Sequence, residues 1–332
     1  MKLVSIKDIA LKAGVSTTTV SFVLNGKARE KRISKELEEN ILAIANHLHY
    51  RPNPLARGLR TGQTETIALM VEDIANPFFS ALARVVEDEA EKIGYTVIFS
   101  STENDESRAL KLIHGLKHRQ MDGFLITPTP SLKEAIVALQ KEERQVVLID
   151  RFIPEIDISS VTVDNIEGSV KAARYLIEKG YKRIAMVTTL SDQVQMQERY
   201  LGFTKTLTEA GFEDPHDLIL QIPFHISKKE AIVSILEFCE AKKPDAIFFA
   251  TNYLGAYGLE AWRNQLHYPV GIVSFDDTDL FRLGRPSITV IAQPIELIAK
   301  ESVTLLVNAI RNKEANPVRH IRLEPTLIIR ET

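Results

Sequence analysis

Along the first fifty residues, apolar positions recur three and four residues apart in three short runs. Ile6, Ile9, Ala10 and Ala13 form one stripe, Val20, Val23 and Leu24 a second, and Leu37, Ile41, Ile44, Ala45 and Leu48 a third. This spacing predicts three amphipathic helices. A serine able to cap each helix stands at its start (Ser5, Ser16 and Ser34), and Asp8 lies three residues after Ser5 as an acidic capping-box partner. Gly14 supplies the tight turn between the first two helices, and Asn25-Gly26 stops the second. The third helix is expected to run to about His49, where Tyr50-Arg51-Pro52-Asn53-Pro54 closes the segment, since a proline restricts the residue before it.

From Thr66 the pattern changes to apolar strands alternating with amphipathic helices. Strands are expected at 67–72, 95–100, 123–126 and 146–149, with helices at about 77–93, 105–118 and 131–142. A second set places strands near 161–163, 183–187, 218–221, 245–248 and 271–274, and helices near 166–179, 195–210, 227–241 and 253–265. A last helix at about 295–311 and a strand at about 319–329 complete the pattern. Such alternation implies parallel sheets covered by helices on both faces. Two sets imply two α/β lobes, with a ligand cleft at the carboxyl ends of their strands. The expected division is a helical domain at 1–50, a connecting segment at 51–62, a first lobe at 63–160 plus about 290–317, and a second lobe at 161–289 plus about 318–332.

Composition agrees with a soluble multidomain chain: 332 residues, 45% hydrophobic and 26% charged. The single cysteine, Cys239, excludes an internal disulfide and a zinc finger. No apolar run approaches a membrane span, and the charged start Met1-Lys2 through Asp8 does not read as a signal peptide, so a cytoplasmic location away from membranes is expected. Net charge adds more. Residues 1–62 carry 11 basic and 5 acidic side chains, a net of +6, whereas the remainder carries 30 and 39, a net of −9. A basic head on an acidic body points to a polyanionic partner for the head.

Two helices joined by Gly14-Val15-Ser16 form a helix-turn-helix pattern, whose second helix lies in the DNA major groove. Its early residues, Ser16, Thr17, Thr18 and Ser21, carry short hydroxyl side chains that donate, accept or touch thymine methyl groups. Spacing alone equally describes a small helical bundle; the charge is what favours DNA. The following Asn53-Pro54 is a good helix start. The segment Leu55-Ala56-Arg57-Gly58-Leu59-Arg60 reads either as a plain linker or as a marginal helix that folds against a minor groove, with Leu59 as an unstacking wedge.

Ile6-Lys7-Asp8-Ile9-Ala10, Ala13-Gly14-Val15-Ser16, Thr19-Val20-Ser21, Val23-Leu24-Asn25-Gly26 and Tyr50 through Arg57 resemble the LacI/GalR family of bacterial transcription regulators. The resemblance continues through Asn76-Pro77-Phe78-Phe79, Val163-Asp164-Asn165 with Gly168, Arg199 with Gly202-Phe203, and Phe275-Asp276-Asp277. It implies a helix-turn-helix head with a hinge helix, followed by two lobes of the periplasmic-binding-protein-like type. It also implies a homodimeric repressor whose heads grip a pseudo-palindromic operator. The hinge residues Asn53, Leu55, Ala56, Arg57 and Leu59 would enter the minor groove, and a small effector would control DNA affinity. Where such regulators commonly carry a guanine-reading arginine, this chain has Phe22, which either meets a thymine or packs toward the head's core or the hinge. The chain ends at Ile329-Arg330-Glu331-Thr332 just after its last strand, so a dimer rather than a tetramer is expected.

Strand ends and helix starts nominate the effector site. Asp150 follows 146–149, Arg199 opens a helix, and Asn252 and Asp276 follow two further strands. Carboxylates, an amide and a guanidinium suit a hydroxyl-rich ligand, and the resemblance matches these four to sugar-contacting positions. Phe78 and Phe224 offer apolar or stacking surfaces. Any one such acid is also a natural helix cap or ion-pair partner, the role assigned to Asp164 and Asp277. Tyr253 and Ser274 depart from the Asp and Gly usual in the family, which leaves a sugar or sugar derivative, phosphorylated or not, as the ligand class. No dinucleotide fingerprint, P-loop or supported catalytic triad occurs, so no enzyme, cofactor or metal is expected. The alternative is a solute-binding protein of a transport system without a DNA-binding role, against which the basic head argues.

Overall fold

The computed structural model describes residues 4–50, 63–263, 271–312 and 317–332. The expectations for the connecting segment 51–62, including Asn53, Leu55, Ala56, Arg57 and Leu59, lie outside the described residues. The chain divides between Thr64 and Glu65 into two compact units.

In the first unit, helices α1 (Ile6–Ala13), α2 (Thr17–Leu24) and α3 (Lys35–His47) surround a core of Ile9, Ala10, Val20, Val23, Ala28, Ile41 and Ala45. The Asp8 carboxylate accepts from both the backbone N–H (2.8 Å) and the hydroxyl (2.7 Å) of Ser5, fixing the start of α1. Gly14 turns the chain at φ +66°, a left-handed conformation that glycine adopts at little cost. Ser16 Oγ accepts from the Thr19 N–H at 3.1 Å to start α2, and Ser34 Oγ does the same for α3 from Leu37.

The second unit holds two six-stranded sheets. Strands β1 (Thr66–Val71), β2 (Thr96–Ser101), β3 (Gly123–Ile126), β4 (Gln145–Asp150), β5 (Ser160–Val163) and β11 (His320–Leu323) form the first, in the order β11-β5-β4-β3-β1-β2. Strands β6 (Ile184–Leu190), β7 (Ile219–Pro223), β8 (Ala246–Phe249), β9 (Gly271–Phe275), β10 (Thr289–Ala292) and β12 (Thr326–Ile328) form the second, in the order β12-β10-β9-β8-β6-β7. Every pairing is parallel except that of β10 with β12. Four apolar clusters fill the layers between sheet and helix, which is why the central strands are apolar on both faces. The first sheet is covered by α4 (Pro77–Glu91), α5 (Glu106–His118), α6 (Lys133–Lys141) and α12 (Ile295–Arg311). The second is covered by α7 (Asn165–Glu178), α8 (Val194–Glu209), α9 (Lys228–Lys242), α10 (Asn252–Trp262) and the short α11 (Asp279–Leu283). No helix among the described residues is long and apolar enough to cross a membrane.

Sheet membership differs from the sequence expectation in three places. The strand expected to open the second lobe, β5, pairs with β4 and β11 in the first sheet. The strand Thr289–Ala292, in the stretch assigned to the first lobe from about 290, belongs to the second sheet beside β9. The single C-terminal strand is two strands, one for each sheet, parted at Glu324-Pro325. The reason is common to all three: the chain passes between the sheets at 164, at 293–294 and at 324–325, and hydrophobic periodicity carries no sign of which sheet a strand joins.

Helices α7 and α8 approach so closely at Gly202 that a Cβ there would lie 2.5 Å from the Ile166 carbonyl oxygen. Gly202→Ala is therefore expected to destabilise the second unit by about 1–3 kcal/mol through forced helix separation. A lowered urea midpoint with unchanged slope checks this; an unchanged midpoint refutes it.

Candidate functional site

On the head, residues 17, 18, 21 and 22 form the outward side of α2, opposite buried Val20 and Val23. Thr17 and Thr18 are exposed and Ser21 half-buried. The Ser16 hydroxyl is committed to capping, with Thr19 Oγ1 2.9 Å away. Ser21 Oγ accepts from the Asn25 amide at 3.3 Å. Phe22 is half-buried but does not pack into the head core; the Lys31 ammonium lies 5.5 Å from its ring centroid.

In the second unit, a cleft opens at the carboxyl ends of the strands. Phe78, Asp150, Arg199, Phe224 and Asp276 all line it. Asn252 does not. It is buried at the start of α10, and its amide turns to donate to Asn76 Oδ1 at 2.8 Å, tying the second lobe to the loop before α4 in the first.

Asp150 ends β4 and Asp276 follows β9, strands that occupy the same place in the two sheet orders. Both residues take positive φ, +71° and +68°, so both lobes turn a carboxylate out of the sheet by the same backbone device. Aspartate adopts this conformation more readily than most residues, and such geometry clusters at functional sites. Arg199 reaches the cleft from α8. Its Nε donates to Asn165 Oδ1 (2.9 Å), its Nη1 donates to the Ala250 carbonyl (2.6 Å), and its guanidinium lies 3.5 Å from the centroid of the Phe275 ring. Burial lowers its pKa, against the pull of Asp276 and Asp150.

A second arginine completes the electrostatics. Arg151, buried beside Asp150, donates through Nη2 to Glu72 at 2.7 Å and through Nε to Asp150 at 3.1 Å. Asn104 donates to the same Glu72 carboxylate at 2.7 Å. Burial works against the Arg151 charge, but Glu72 and Asp150 more than offset it and hold its pKa above the ordinary value. Burial pushes the Asp150 carboxyl up despite Arg151 and Arg199. It pushes Asp276 up as well, despite Arg199 and the 2.6 Å hydrogen bond donated by Gln293.

Glu72, Asn76, Arg151, Gln195, Tyr253 and Gln293 also line the cleft, and none was among the expected contacts. Glu72 and Arg151 obey the strand-end rule that picked out Asp150 and Asp276, so position alone signalled them. Gln293 follows β10, a strand the periodicity did not reveal. Of the two departures, Tyr253 faces the cleft, whereas Ser274 is fully buried and donates to the Phe275 carbonyl at 3.1 Å. Asp164 caps α7 through the Glu167 N–H (2.9 Å), and Asp277 pairs with Arg330 (2.7 Å). No cluster of three or more metal-ligating side chains occurs among the described residues.

Residues 5–53 match the family described as bacterial regulatory proteins, lacI family, and residues 173–332 match the periplasmic binding protein-like domain. Catabolite control protein A of Priestia megaterium is 32% identical over 316 residues, covering 94% of this chain and 93% of that protein. The chain belongs to the LacI family. It is a DNA-binding transcription regulator, as its curated relatives are. Among solved structures, the transcriptional regulator CelR–cellobiose complex superposes with a TM-score of 0.71 at 27% identity, over 99% of both chains. A lac repressor dimer bound to operator and an anti-inducer reaches 0.85 at 22% identity, over 100% of this chain and 99% of that one. The second shows shared fold.

In this LacI-family cleft, the raised pKa of Asp276 means that the fold holds its proton more tightly than the unfolded chain does. Stability is therefore expected to fall as pH rises from the ordinary carboxylate range through the raised value, and then to level off. Asp276→Asn removes that contribution, so the stability difference from wild type should change across the window. Parallel stability–pH curves from urea titrations would contradict the assignment.

Proposed function

We propose that this LacI-family regulator is a homodimeric repressor that binds a pseudo-palindromic operator through α2 and responds to an uncharged sugar held in the inter-lobe cleft. The observation that carries the reading is the coexistence of two separate sites in one chain: an exposed hydroxyl-bearing helix face on a basic head, and a strand-end cleft lined by opposed carboxylates and arginines. Thr17, Thr18, Ser21 and Phe22 are the proposed base-facing residues, and Ser16 contributes by setting the start of their helix. Asn53, Leu55, Ala56, Arg57 and Leu59 are the proposed minor-groove contacts.

The charge balance favours a neutral ligand. With all five groups ionised, Glu72, Asp150 and Asp276 against Arg151 and Arg199 leave the cleft at −1, and Arg151 already serves two carboxylates. A phosphate ester would add repulsion from the cleft carboxylates, whereas sugar hydroxyls donate to carboxylates and accept from guanidinium. The Gln195 Oε1 atom, buried with no partner among the described residues, adds an acceptor for such a hydroxyl. A relative named in complex with cellobiose is consistent with this class. Phe78 and Phe224 supply apolar surface for the ring faces.

Selection of bound DNA from a random pool, repeated at two salt concentrations and across a sugar panel, tests the proposal. A pseudo-palindrome is expected, with affinity falling steeply in salt and altered by an unphosphorylated sugar. Arg199→Ala should weaken that sugar by about 10- to 100-fold, the loss of a charged hydrogen-bonding partner, while operator binding persists. Arg199→Lys, which keeps the charge, guards against simple unfolding. No enriched sequence alongside measurable sugar binding would favour a solute-binding protein instead.

A further inference from the structure

We propose that Phe22 and Lys31 form a composite base reader, in which the phenyl ring meets a thymine methyl group while the Lys31 ammonium, laid over that ring, donates to O6 and N7 of a guanine at a neighbouring base pair. The inference rests on the reading of α2 as the groove-facing helix, and adds to it a residue that lies outside that helix altogether.

Lys31 comes from the turn that follows α2, and the backbone fixes its path. The Lys27 N–H donates to the Phe22 carbonyl at 2.9 Å, the Lys31 N–H to the Lys27 carbonyl at 3.0 Å, and the Ile33 N–H to the Ala28 carbonyl at 2.9 Å. Ala28, 1% exposed, anchors the middle of the turn in the head core. Folded this way, the turn carries Lys31 back along α2 until its ammonium lies 5.5 Å from the Phe22 ring centroid. Phe22 stands one helical turn after exposed Thr18, and residues so spaced share a helix face. The ring is therefore presented with the hydroxyl residues instead of being absorbed by the core.

The chemistry divides between the two side chains. An aromatic ring offers no donor, and in the major groove its natural partner is the thymine methyl group. A lysine offers donors only, and guanine presents two adjacent acceptors on the same groove edge. Attraction between the ammonium and the ring face holds the cation beside the ring. Its partner in the head is Glu30 Oε1 at 2.9 Å, and both members of that pair are exposed, Lys31 by 41% and Glu30 by 61%. Such a pair is weak enough for the ammonium to exchange it for a base edge. Lys27, Arg29 and Arg32 in the same turn supply charge for the phosphate backbone.

The test is selection of bound DNA with the full-length wild type and with Lys31→Ala and Phe22→Ala, followed by salt titrations on the wild-type operator and on one with the guanine replaced. Lys31→Ala should erase the guanine preference at one symmetry-related pair of positions and weaken the guanine-bearing operator about tenfold, with little effect on the replaced one. Phe22→Ala should remove the adjacent thymine preference and relax the guanine preference with it. Both side chains lie outside the core, and the helical circular dichroism of each variant verifies folding. A uniform loss on every sequence, with the salt slope reduced by about one, would make Lys31 a phosphate contact and overturn the proposal. An unchanged selection with Lys31→Ala would overturn it too. A wild type that enriches no sequence would instead remove the DNA-reading assignment beneath it.

Discussion

Three buried carboxylates and two buried guanidinium groups share one cleft, and much of the second unit's arrangement follows from keeping them partnered. An ionised side chain taken from water without a partner costs several kcal/mol or more, so each buried charge needs a compensating partner. Glu72 from the end of β1 and Asp150 from the end of β4 meet on Arg151. Asp276 from β9 lies in the field of Arg199 from α8, and so does Asp150. Arg199 is thus the element common to both lobes: it belongs to the second, and its charge is balanced partly by a carboxylate of the first. The apolar layers can be built lobe by lobe, but this network cannot.

The same constraint explains why the chain weaves between the sheets. Gln293, which donates to Asp276, lies in the segment leading from β10 in the second sheet to α12 on the first. Lys171 on α7 bonds the Glu324 carboxylate and the Pro325 carbonyl, which part β11 from β12. The crossing segments are therefore fastened to the second lobe by hydrogen bonds, one of them to a cleft carboxylate. Asn76 and Asn252 add a direct bridge between the lobes.

The strand–helix alternation, the helix caps and the strand-end logic were readable because each is local: a serine three residues before a backbone N–H, an apolar period of three to four, an acid one residue past a strand. Asp150 and Asp276 were nominated that way, Glu72 obeys the same rule, and extending it by one residue reaches Arg151; Arg199 was nominated as the opening residue of a helix. Other features were hidden because they depend on pairing at long range. Nothing in Val161-Thr162-Val163 says that its neighbours are β4 and β11. The amide of Asn252 follows a strand as a ligand contact should, yet a partner 176 positions earlier in sequence claims it. Phe22 is the reverse case. Its sequence position left groove, core and hinge open; the ring stays out of the head core, beside Lys31 from a turn anchored by Ala28, and the hinge lies outside the described residues.

Binding can shift the lobes only if a ligand has different affinity for their arrangements. On the proposed reading, the network is where that difference would arise. A ligand hydroxyl that donates to Asp276 competes with Gln293 for the same carboxylate, and Gln293 stands on a segment joining the two sheets. A hydroxyl that engages Asp150 competes with Arg151, whose other bonds run to Glu72 and Asn104 within the first lobe. The two carboxylates look alike, on equivalent strands with nearly the same φ, but their partners differ in reach. On the proposed reading, a ligand at Asp276 acts on Gln293, which links the lobes, and a ligand at Asp150 acts on Arg151 within the first lobe and on the field of Arg199 from the second.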